Sequence, residues 1–156
     1  MIKPLAIDHI VLRTSHYEEL IDFYVDVLGC NVERETAQEF GLTQLRAGNA
    51  LIDIIDVRGE LGRKGGPAPT EIGNNVDHFC IQIEPIEENE LIDYLKSRGV
   101  ECEEFKDRYG TTGMGRSIYI KDDLVNLFGT TQLSRFFHFH QFTLKLIGAG
   151  VPQGRV

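Results

Sequence analysis

From Leu5 to Arg13 apolar and polar residues alternate, placing Ile10 and Leu12 on one side and His9, Val11 and Arg13 on the other, which predicts a half-buried strand. The period then changes. Leu20, Ile21, Tyr24, Val27 and Leu28 recur on one face of a helix, Ser15 and Glu18 have the spacing of a capping box, and Gly29 stands where a C-terminal cap belongs. Short strands follow at residues 31–38, 42–47 and 50–57, divided by Gly41 and by the turn pair Gly48-Asn49. Residues 58–75 contain five glycines and two prolines and show no period, so they read as a long connecting loop. A second series begins beyond it: a strand at 76–84, a helix at about 87–98 closed by Gly99, and strands at 100–105, 116–121 and 123–128. The order β-α-β-β-β thus occurs twice, giving modules at 1–57 and 76–129, the connecting loop at 58–75, and an extension at 130–156.

The repetition can be followed residue by residue. Ile7-Asp8-His9 matches Val76-Asp77-His78, Leu20-Ile21-Asp22-Phe23 matches Leu91-Ile92-Asp93-Tyr94, and Leu45 to Ile54 overlays Ile118 to Leu127 without a gap. The offset grows slightly from match to match, as loop-length drift in a duplicated module would give. Alternation then assigns two sheet faces. Ile10, Leu12, Ile52, Ile54, Phe79, Ile81, Ile118 and Ile120 form the face that packs on helices; His9, Arg13, Gln44, Arg46, Asp53, His78, Gln82, Tyr119, Lys121 and Asn126 form the opposite, polar face.

His9 and His78 begin equivalent strands, and Asp53 and Asn126 sit in equivalent last strands, so pseudo-two-fold pairing of the modules brings four donors together. Two imidazoles, a carboxylate and an amide oxygen suit a divalent metal such as iron(II), manganese, nickel or zinc, with open positions for a substrate. Asp8 and Asp77 are the alternative ligands if the faces are reversed. Asp53 is also the one carboxylate available as a catalytic base. Arg13, Arg46, Gln82, Tyr119 and Lys121 are the candidate substrate-binding residues, and the three cations among them favour an anionic small molecule.

Composition narrows the class. Hydrophobic residues make up 42% and charged residues 26%, the balance of a globular domain, and the net charge of −8 argues against nucleic acid and anionic membranes as partners. No apolar run has the length to span a bilayer, and the N-terminus runs straight into a strand pattern, so a cytoplasmic protein is expected. Cys30, Cys80 and Cys102 are too widely spaced for a zinc ribbon or a redox pair and read as reduced thiols. The extension carries Phe136-Phe137-His138-Phe139-His140, and an apolar stretch of this kind is expected to pack, over about 132–147, on a sheet edge, a module interface or a neighbouring subunit.

The Ile7-Asp8-His9 strand, the helix from Ile21-Asp22-Phe23-Tyr24 to Val27-Leu28-Gly29-Cys30, Asp77-His78-Phe79-Cys80, and the stretch from Arg108-Tyr109-Gly110 to Ser117-Ile118-Tyr119 resemble the glyoxalase/bleomycin resistance/extradiol dioxygenase family, the vicinal oxygen chelate superfamily. The resemblance implies an α+β fold of two tandem βαβββ modules whose mixed sheets curl into a cup around one metal, with helices outside. It places the ligands on His9, Asp53, His78 and Asn126. It also implies a glyoxalase-like lyase or isomerase, or a dioxygenase, acting on a vicinally oxygenated substrate, with a metal-free resistance-type binding protein as the alternative. Asparagine stands at 126 where the family has glutamate, which favours that alternative. Modules pair either within the chain or by exchange between two chains, and a homodimer is expected.

Overall fold

The structure, a computed structural model, describes residues 3–69, 78–121 and 130–135; the side chains of Lys121 and of residues 130–135 are not described. The first strand, β1 (His9–Thr14), is followed by helix α1 (Tyr17–Asp22), which widens into a π-helical turn over Phe23–Val27. The Ser15–Glu18 capping box does not form. The N-cap position falls on His16, whose backbone N–H donates to Thr14 Oγ1 at 2.8 Å, so the end of β1 supplies the acceptor. Strands β2 (Asn31–Glu35), β3 (Leu42–Ala47) and β4 (Ala50–Asp56) complete a four-stranded mixed sheet in the order β1-β4-β3-β2, with β1 parallel to β4. Within the long connection expected at 58–75, residues Glu60–Lys64 form a short helix, α2.

The second sheet repeats this plan. It contains β5 (His78–Gln82), β6 (Glu101–Cys102), β7 (Lys106–Gly110), β8 (Gly113–Lys121) and β9 (Thr130–Arg135), in the order β5-β9-β8-β6, with β7 also paired to β8; helix α3 (Glu88–Ser97) lies between β5 and β6 in the chain. The edge position that β2 fills in the first sheet is shared here by β6 and β7, which meet opposite ends of β8. β9 runs parallel to β5 and antiparallel to β8, so it is an interior strand. The sequence overlay puts this strand at 123–128, which lies outside the described residues; the strand in the equivalent place is Thr130–Arg135, drawn from what reads as the start of the extension.

One apolar core joins both sheets. Leu12, Leu45, Ile52 and Ile54 of the first, Ile118 and Ile120 of the second, and Leu20, Tyr24, Leu91 and Leu95 of the helices are all buried, with Phe79 and Ile81 packed against them. Burial of each large aliphatic side chain is worth about 1.5–3 kcal/mol. Tyr24 stacks on Phe79 at 6.4 Å, and the Tyr94 hydroxyl of α3 donates to the Val27 carbonyl at 2.9 Å, tying the second helix to the end of the first. Because this core takes the helix-facing side of both sheets, the two polar faces look outward. β5 shows it most plainly: His78, Cys80 and Gln82 are exposed, whereas Phe79 and Ile81 are half-buried.

Candidate functional site

On the first sheet the polar face carries a coupled group. His9 is about half exposed, and its Nδ1 lies 2.8 Å from Asp8 Oδ1. This hydrogen bond, followed by the charge of Asp53, holds the imidazole above its ordinary pKa. Asp53 pairs across the sheet with Val11 on one side and Gln44 on the other. It is buried, and both carboxylate oxygens accept from Gln44 Nε2 at 3.0 Å. Gln44 therefore fixes the carboxylate in place, a role the alternation pattern does not reveal.

On the second sheet, His78 starts β5 as His9 starts β1. Tyr119 stands beside it, with its hydroxyl 3.5 Å from His78 Nε2 and the two rings edge to face at 5.3 Å. Gln82 donates to Thr111 Oγ1 at 2.8 Å, which binds the turn between β7 and β8 to β5. The position between Cys80 and Tyr119, equivalent to that of Asp53 between Val11 and Gln44, belongs to Gln132. Asn126, expected there from the ungapped overlay, lies outside the described residues, as does Asp77.

Two of the expected substrate-binding cations are already engaged. Arg13 does not stand open: Nη2 donates to the carbonyls of Gly62 and Gly66, each at 2.8 Å, and Nη1 to that of Pro67 at 3.2 Å. The glycine-rich connection folds back over β1 and uses the guanidinium as its anchor. Arg46 forms a two-nitrogen ion pair with Glu33 at 3.0 and 3.2 Å, which holds the Glu33 carboxyl below its usual range. Lys121 pairs through its backbone with Glu101. Phe136, His138 and His140 lie outside the described residues.

The fit to a divalent cation follows from this donor set. A histidine whose Nδ1–H is held by a carboxylate presents Nε2 to a metal, and Asp53 supplies an oriented oxygen on the same sheet face. Among the described residues of one chain, no three histidine, cysteine, aspartate or glutamate side chains gather as a metal group. His9 and Asp53 therefore suit a metal as a pair, and a third donor such as His78 joins them only if the second polar face is brought opposite the first. Among the described residues, no helix is long and apolar enough to cross a membrane.

Comparison with known proteins agrees with this architecture. The chain is similar in structure to a virulence protein from Salmonella typhimurium (24% identity, TM-score 0.66, covering 88% of this chain and 100% of that one). It is similar also to the genomically encoded fosfomycin resistance protein of Listeria monocytogenes (21%, 0.62, 92% and 99%) and to lactoylglutathione lyase from Agrobacterium tumefaciens (18%, 0.60, 85% and 94%). No curated protein matches the sequence. Residues 6–126 match the Glyoxalase/Bleomycin resistance protein/Dioxygenase superfamily, and with the α+β sheets just described the chain belongs to that superfamily.

Proposed function

We propose that the protein is a metal-dependent enzyme of the glyoxalase type, a lyase, isomerase or dioxygenase, acting on a small molecule with neighbouring oxygens. His9 and Asp53 hold the cation together with His78 from a second copy of the chain. The observation that carries this reading is the Asp8–His9 and Gln44–Asp53 arrangement on one outward-looking sheet face. Both polar faces point away from the shared core, so the half-cups of one chain do not face each other, and a homodimer in which each half-cup meets its partner's other half completes the site.

A bound divalent cation supplies Lewis acidity toward two adjacent substrate oxygens. The chain's own residues do the rest. Asp8 fixes the His9 tautomer, Gln44 orients Asp53, and an Asp53 oxygen in that fixed position is the available base for a proton on the substrate. The neutral Gln132 in the position equivalent to Asp53 weakens the donor set and favours a second reading, a metal-free protein that sequesters a small molecule in the same cup.

Metal analysis of protein purified without chelators separates the two. Stoichiometric iron, manganese, nickel or zinc, lost in both His9→Ala and His78→Ala, is the result expected. Absence of metal together with small-molecule stabilisation that is indifferent to added manganese or iron supports the binding protein instead. Light scattering at micromolar concentration should give a dimer; a monomeric mass contradicts the shared cup.

A further inference from the structure

We infer that Arg108 is an oxyanion anchor of the second half-cup, a guanidinium that holds a carboxylate, phosphonate or phosphate group of the bound molecule beside His78. Arg108 lies on β7 opposite Gly115 of β8, a position that offers no side chain to compete for the space above the sheet. Its Nη1 donates to the Ser117 carbonyl and to Ser117 Oγ, each at 3.0 Å, and its Cζ rests 4.3 Å from the centre of the Tyr119 ring. Tyr119 in turn touches His78. Arginine, tyrosine and histidine thus stand in a row on the face that the proposed function assigns to substrate. The Gln82–Thr111 bond ties the turn that follows β7 down onto β5.

Ion pairing and burial together separate Arg108 from the other described cations. Arg46 pairs with Glu33, Arg58 with Asp56, Lys64 with Glu60, and Arg116 with Glu88 and Asp107. Arg13 donates through both Nη nitrogens to loop carbonyls. Arg108 is half-buried and has no carboxylate partner among the described residues, and its hydrogen bonds there run through Nη1 alone. A stacked guanidinium is already immobilised, and its remaining N–H groups form the planar fork that carboxylates and phosphates accept. In a chain of net charge −8, such a site is a local exception, and capture of an anion offsets the cost of holding an unpaired cation partly out of water.

The inference rests on the proposed cup as the substrate's place, but its readout does not need the metal. Isothermal titration of the full chain with inorganic phosphate and with methylphosphonate should show saturable binding. Arg108→Met keeps a stem for Tyr119 and should weaken it about ten-fold or more. Arg108→Lys keeps the charge without the fork and should fall between the two, while Arg98→Met, which removes a charge at the end of α3, should match the wild type. Phosphate should also shift the His78 imidazole signals in the wild type and not in Arg108→Met. Wild-type protein that does not saturate, Arg108→Met with wild-type affinity, or an equal loss in Arg98→Met overturns the assignment. Metal content is measured on the same samples: Arg108-dependent binding without metal refutes the metalloenzyme reading alone, and metal without Arg108-dependent binding refutes this inference alone.

Discussion

Replacing Arg13 with methionine separates a loop clamp from a substrate anchor. The guanidinium makes three hydrogen bonds to the carbonyls of Gly62, Gly66 and Pro67, the first part-buried and the other two exposed. A charge-assisted bond contributes about 1.5–3 kcal/mol net where it is shielded and only about 0.5 kcal/mol where water competes, giving about 2–3 kcal/mol for one part-buried and two exposed bonds. Against this, Nε is buried without a partner among the described residues, so removing the side chain relieves about 1 kcal/mol of desolvation. The methionine stem keeps most of the packing under Gly65, whose backbone already lies so close that a Cβ there would meet Arg13 Nε at 2.5 Å. The balance is a loss of about 1–2 kcal/mol, or about 2–8 °C in Tm for a chain of this size. Differential scanning calorimetry reads that shift, and limited proteolysis should find new cleavage within residues 58–67. A variant that melts within 1 °C of the wild type and resists cleavage while losing ligand affinity would refute the clamp and return Arg13 to substrate binding.

Gly62→Ala should destabilise the fold by about 2 kcal/mol, because a Cβ there collides with the backbone of Asp56 and Val57 and pushes α2 off β4; chemical denaturation measures it, and an unchanged midpoint contradicts the close approach. Ile54→Ala, at a site with no exposure, should cost about 2–5 kcal/mol in the same assay. Burial raises the Cys30 thiol pKa and shields it, whereas Cys80 is exposed on the polar face of β5, so Cys80 should react with a thiol reagent first and Cys30 last. Dilution that dissociates the proposed dimer should speed modification of Cys80, and mass spectrometry of labelled peptides reads both effects.

Much of the fold is legible in the sequence where burial alternates. β3 and β4 lie where the pattern puts them because Thr43, Leu45, Ile52 and Ile54 face the helices and Gln44 and Asp53 do not. The polar face, with His9, Asp53 and His78, follows from the same period. β9 is hidden because Thr130-Thr131-Gln132-Leu133-Ser134-Arg135 has one strongly apolar residue, and its place is set by pairing with β5 and β8 rather than by hydrophobicity. The run Leu124-Val125-Asn126-Leu127 carries the stronger strand pattern, which drew the overlay to Asn126 and away from Gln132. β7 is nearly all polar and sits at an edge, so Arg108 has no period to mark it. Arg13 reads as a free cation because the carbonyls that bind it lie about fifty residues away in the chain, and sequence spacing carries no trace of such a contact.

The shared cup is tested most directly by mixing two inactive halves. His9→Ala and His78→Ala homodimers each lack one donor in every site, whereas a heterodimer of the two has one site with both histidines and one with neither. Mixing the variants under conditions that allow subunit exchange should therefore restore metal binding to about a quarter of the wild-type level, since about half of the dimers are mixed and each has one complete site of two. Metal content that stays at the level of the separate variants after proven exchange would contradict a site built from two chains.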